Sequence, residues 1–167
     1  MGITLTALFS TVIFIAYIFG VILIRNKRVI PKSLLKTIFG LPECCRYVWA
    51  AIVAMIIYCM IPVFLGTSGS VLCSTLIIVG CCGLVSGAAS LIICRTEWNT
   101  WVFYKYATAM FCVCSQLLIA ITMPVILTGW LLYVPCLVIK KMRSQKFFYL
   151  QILCFIMNFV LCLLFVL

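Results

Sequence analysis

Stretches of about twenty apolar residues, the length that spans a bilayer as a helix, follow one another along this chain and leave room for little else. They cover 3–24, 47–66, 71–94, 102–121 and 147–167, and a shorter stretch covers 125–139. In lipid, every backbone polar group must be satisfied internally, so a helix or a closed barrel is the only spanning structure. The stretches are continuous rather than alternating over about ten residues, which selects helices over an outer-membrane barrel. A soluble domain cannot hide such a surface, since 68% of the 167 residues are apolar and only 8% charged. The expected fold class is an all-α integral membrane protein, a single bundle of about six transmembrane helices over residues 1–167.

The charges sort by loop. Arg25, Lys27, Arg28, Lys32, Lys36 and Arg46 fall between the first and second stretches. Arg95 and Lys105 flank the junction of the third and fourth, and Lys140, Lys141, Arg143 and Lys146 separate the fifth and sixth. Neither the segment 67–70 nor the segment 122–124 has a charge. Six helices place all twelve basic residues on one side, and the positive-inside rule makes that side cytoplasmic, with both termini outside. The localisation expected is a multi-pass protein of the cell's inner (plasma) membrane. A break at Pro124 is required, because one kinked helix over 107–139 would move the last basic loop to the opposite face. The formal net charge of +10 is then a topology signal facing anionic lipid headgroups. Nucleic acid is not expected as a partner, because no segment is long enough to build a soluble basic surface.

Residues 3–24 lack a basic leader and a small-residue cleavage site, so they read as a retained helix. In the first loop, Pro31 can open a short helix with Leu34, Leu35, Ile38 and Phe39 on one side and Lys32 and Lys36 on another. Such a segment either lies on the cytoplasmic leaflet with its apolar residues in the interface or forms a plain loop. The anionic-lipid-facing residues are therefore Arg25, Lys27, Arg28, Lys32, Lys36, Lys140, Lys141, Arg143 and Lys146. Tyr47, Trp49, Trp98, Trp101, Tyr104, Tyr106 and Tyr149 cluster near the same interface, where amphipathic rings anchor helices.

Gly80, Gly83 and Gly87 nominate a helix-packing face in the third span. Gly83 and Gly87 form a G-x-x-x-G, and small residues four apart let a second backbone approach. That backbone belongs either to the same bundle or to a second copy. Ser115, Gln116 and Asn158 are the polar residues inside spans, suited to interhelical hydrogen bonds or to a small polar passage.

Catalysis has few parts to draw on. The chain has no histidine, which removes Ser-His-Asp, Cys-His and His-metal schemes. Glu43 and Glu97 are its two acids and can pair with Arg46 and Arg95. The twelve cysteines contain no C-x-x-C and sit mostly in apolar stretches, where a thiol behaves as a small hydrophobe. A thiol enzyme built on Cys44 and Cys45 beside Lys36 and Arg46 is one catalytic option, and a membrane enzyme acting on lipid or thiol would have to draw on Glu97 or Cys44. No catalytic, metal or cofactor residue is nominated, and no cofactor is expected.

Three segments carry a resemblance: Ile30 to Phe39 (IPKSLLKTIF), Gly80 to Ala89 (GCCGLVSGAA), and Tyr104 to Ala109 (YKYATA) leading to Ser115–Gln116–Leu117. Together they resemble small multi-helix membrane proteins of gut anaerobes and their phages. That group shows an I-P-x-S-[LI]-S-x-T-[YF]-Y segment, then C-A-G-L-x-F-V-G-A-A, then V-H-Y-x-x-A. The histidine of the third segment is missing here, with Tyr104 near its place. The resemblance implies a topology and no activity.

The function expected is non-enzymatic: helix packing with membrane partners or lipids, with the bilayer and its anionic headgroups as the constant partner. A homo-oligomer or another membrane protein would supply further contacts. The competing reading is a small oligomeric channel, transporter or holin-like pore.

Overall fold

The computed structural model describes the backbone of residues 2–24, 30–93 and 98–165, with the side chains of 2–7, 22–24, 98 and 141 left undescribed. Arg25, Lys27, Arg28, Arg95 and Glu97 lie outside the described residues, as do the side chains of Trp98 and Lys141. The described chain is all-helical. Its elements are α1 (Gly2–Ile24), α2 (Leu34–Phe39), α3 (Glu43–Gly66), α4 (Val71–Ile93) and α5 (Trp98–Thr122). A 3-10 helix, η1 (Pro124–Tyr133), runs into α6 (Val134–Val138), and α7 (Lys140–Arg143) and α8 (Lys146–Leu164) complete it.

Four described helices are long and apolar enough to cross a membrane: α3, α4, α5 over Asn99–Thr122, and α8. Two shorter apolar stretches accompany them, Leu8–Val21 within α1 and Pro124–Val138. These helices carry large apolar side chains outward as well as inward, as at Leu65, Val71, Ile78, Val113 and Leu117. A helix apolar all round needs either a larger protein or lipid about it. The set is compatible with a multi-pass membrane protein.

Aromatic rings fill the middle of the bundle. Phe14 of α1 lies 5.2 Å from Phe155 and 5.5 Å from Phe159 of α8, centroid to centroid. Trp49 of α3 meets Phe155 edge-on at 5.7 Å, a favoured geometry for paired rings. Trp49 and Tyr104 are fully buried, whereas Tyr47 and Tyr106 are exposed. The interfacial role expected of Trp49 and Tyr104 is thus corrected: both are core residues. The faces of α3 and α5 that carry them point into protein, while Tyr47 and Tyr106, two residues away, face outward.

α2 departs from its expected setting in the same way. Leu34, Leu35 and Ile38 are buried against the bundle, with Phe39 half-buried, so protein rather than lipid takes this apolar side. Phe39 lies tilted against Trp101 at 5.4 Å and stacked on Tyr104 at 6.3 Å, both of α5. Pro31 stands before the helix, and Ser33 caps it, accepting from Lys36 N. Lys32 and Lys36 remain exposed.

The chain breaks at Met123, whose φ of −141° and ψ of 69° leave the helical region ahead of Pro124. Proline disfavours a helical residue before it, which accounts for the stop. The Trp130 indole N–H then donates to Gln116 Oε1 at 3.1 Å. A continuous α-helix would hold positions fourteen apart about 21 Å from each other, so η1 folds back along α5. The described basic residues consequently gather at one end. Arg46 reaches the Leu41 and Leu91 carbonyls, joining the start of α3 to the end of α4. Gln145 Nε2 donates to the Ile30 carbonyl, joining the start of α8 to the approach to α2. At the opposite end, Phe165 packs on Gly66.

Candidate functional site

The glycine face of α4 packs on α5. A Cβ added at Gly83 would stand 2.7 Å from the Ala107 carbonyl oxygen and 2.7 Å from Met110 Cε. One at Gly87 would stand 3.0 Å from Thr108 Oγ1, and one at Gly80 would stand 3.2 Å from Cys114 Cβ. All three glycines are buried within this single chain. The close approach is what small residues four apart permit, and here the approaching backbone is the next helix.

The polar residues inside the spans are used one by one. Asn158 Nδ2 donates to Ser115 Oγ at 3.0 Å across α8 and α5, and to the Cys154 carbonyl at 2.7 Å along its own helix. Ser115 in turn donates to the Cys112 carbonyl. Tyr104 Oη, Thr108 Oγ1, Gln116 Nε2 and Asn158 Oδ1 are buried without a hydrogen-bond partner. The space beside Asn158, walled by Ile56, Phe155 and Phe159, has no volume for a water molecule.

Gln151, which sequence reasoning passed over, holds α2 in place. Its Oε1 accepts from Leu34 N at 2.8 Å, Leu35 N at 3.3 Å and Ser33 Oγ at 3.3 Å. The first amides of a helix have no partner within it, so one α8 side chain satisfies the start of α2. The local signal was a glutamine one turn inside an apolar stretch; its partners, Ser33 and the first amides of α2, lie more than a hundred residues earlier in the chain. Gln151→Leu is expected to free α2 from the bundle. Losing an acceptor for buried donors costs about 1–3 kcal/mol, so the Leu34 and Leu35 amides should exchange about tenfold to a hundredfold faster. Hydrogen exchange in detergent measures this. Gln151→Glu keeps the acceptor and should exchange at close to the parent rate.

An open groove of about 540 Å³ lies between α5, α8 and η1. Ala109, Val113 and Leu117 line its α5 wall, Leu150 and Cys154 its α8 wall, and Trp130 and Gln116 close one end. Leu35 of α2 borders the other. A second opening, of about 450 Å³, lies between α1 and the start of α3 beside Tyr17 and Cys45.

Lys32, Lys36, Lys140, Arg143 and Lys146 are exposed and spread around one end. Arg46 spends its guanidinium on backbone carbonyls. Cys44 is exposed with its Sγ 3.9 Å from that of Cys45. Among the described residues, no group of three or more Cys, Asp or Glu side chains is placed to hold a metal. No family model, curated protein or solved structure matches this chain.

Proposed function

We propose that the chain is an integral membrane protein crossing the bilayer six times, and that it acts by packing against lipids and membrane partners rather than by catalysis. The observation that carries this reading is the sorting of charge: exposed basic residues at one end of a bundle whose flanks are apolar. The positive-inside rule assigns that end to the cytoplasm and both termini to the other side. Arg25, Lys27, Arg28 and Lys141 join the same basic face by their position in the sequence. Together these residues would face anionic headgroups.

The fifth crossing is the short one. At about 2.0 Å per 3-10 residue and 1.5 Å per α residue, η1 and α6 extend roughly 27 Å. An α-helix of that length in residues would extend only about 22 Å, against a hydrocarbon core of about 30 Å. The stretched 3-10 geometry therefore favours a crossing where residue count alone would not.

Within one copy, aromatic rings fill the middle of the bundle and the space beside Asn158 admits no water, which favours packing over a pore. A pore would have to form between copies. Alkaline carbonate extraction should leave the chain in the membrane pellet, and purified chain in liposomes should release no trapped small solute. Release that scales with protein concentration would replace the packing reading with an oligomeric pore. Recovery in the soluble fraction would remove the membrane reading altogether. Mild-detergent purification followed by sizing and identification of co-purifying chains would name the packing partner.

A further inference from the structure

We propose that the groove between α5, α8 and η1 holds one acyl chain of an anionic membrane phospholipid, with the headgroup against Lys105 and Lys146. The proposal rests on the membrane reading above and names a lipid class for it. The groove is lined almost wholly by carbon, and a water inside it would find few of the two to four polar partners it needs. An alkyl chain has no such requirement. Its volume of about 540 Å³ lies in the range of built ligand sites, about 300–1,000 Å³. Val113 and Leu117 on its wall are about half exposed, so it opens sideways, where lipid would stand.

The choice of headgroup follows from charge. Residues four apart on a helix share a face. Lys105 precedes Ala109 on the α5 wall by four positions, and Lys146 precedes Leu150 on the α8 wall by four. Both lysines are exposed, and Lys36 follows the groove residue Leu35. By position in the chain, Lys105, Lys146 and Lys36 stand next to the Leu35 end of the groove; the Lys105 ammonium rests over the Tyr106 ring at 5.1 Å and that of Lys146 over the Phe147 ring at 5.3 Å, so each swings off its ring to meet a headgroup. Glu43, the only acid among the described residues, borders a different hollow with Leu91 and Ile92. From Lys105 to Gln116 the helix rises about 16 Å, a length that an extended acyl chain can follow. The Trp130–Gln116 hydrogen bond then closes the groove floor.

The test uses the full chain in mild detergent with equal amounts of palmitoyl-oleoyl phosphatidylglycerol and phosphatidylcholine, read by native mass spectrometry. One phosphatidylglycerol should stay with each chain, favoured over phosphatidylcholine by about thirtyfold, as expected for two lysines beside an anion. Lys105→Gln with Lys146→Gln, both at exposed positions, should bring the two lipids near parity. Ala109→Trp should fill the groove and release both. Equal retention of the two lipids by the parent would overturn the proposal, as would unchanged retention by a folded Ala109→Trp chain. If that variant fails to fold, the lysine pair decides alone. A lipid-free dimer that Ala109→Trp dissolves would assign the groove to a helix of a second copy, against the proposal. A chain that stays in carbonate-washed membranes but retains no phosphatidylglycerol defeats the groove proposal only, whereas a carbonate-soluble chain defeats the membrane reading too.

Discussion

Gly83→Ala is expected to destabilise the bundle although alanine is the better helix former. Alanine gains about 1 kcal/mol over glycine in a helix interior. Against this, the new methyl would sit 2.7 Å from the Ala107 carbonyl oxygen. A backbone carbonyl inside a packed helix cannot turn aside, so α4 and α5 must separate. Overpacking of this kind costs about 1–3 kcal/mol, and Gly83→Leu should reach or exceed the upper end. Lipid does not replace the lost contact, because apolar tails supply no drive to bring helices back together. Gly87→Ala should cost less, since its nearest neighbour is the Thr108 hydroxyl at 3.0 Å. Gly20→Ala, with no described atom within 4 Å, should be neutral or mildly stabilising. Thermal unfolding in one detergent orders the series. A Gly83→Ala chain as stable as the parent would mean that the α4–α5 seam is looser than its geometry.

The second large effect belongs to Trp49. Removing a fully buried Trp side chain typically costs about 3–5 kcal/mol, and Trp49 also loses its ring contacts with Phe14, Tyr17 and Phe155. Trp49→Ala should therefore remove most folded protein. Tyr47→Ala, two residues away and 55% exposed, should stay within about 0.5 kcal/mol of the parent, as surface changes do. Yield of monodisperse protein and its melting temperature separate the two. Similar losses for both would restore an interfacial role for the pair.

These two residues mark where sequence reading stops. The helical class, four of the six expected spans and the break at Pro124 follow from stretch length, charge position and proline stereochemistry, all local properties. Which face of a span turns inward does not follow, because α3 is apolar all round and offers no stripe to orient it. Tyr47 and Trp49 look alike for that reason, and so do the lipid and protein sides of α2. For α2 the deciding partner, Gln151, lies more than a hundred residues away. The groove is also a long-range product: its walls come from α5 and α8, and its floor from a single Trp130–Gln116 hydrogen bond. By contrast, the glycine spacing of α4 is visible locally, though not the identity of the helix that fills it.

Charge placement supports the central proposal, six crossings with the basic end in the cytoplasm, so the most direct measurement is the side on which each end lies. Ser68 sits in the uncharged turn after α3, and Cys44 is a native exposed thiol at the basic end. Intact cells carrying Ser68→Cys would be treated with a membrane-impermeant maleimide and the labelled peptides identified by mass. Position 68 should react at once, and Cys44 only after the membrane is permeabilised. Labelling of Cys44 in intact cells, with position 68 protected or equally labelled, would contradict the proposed topology.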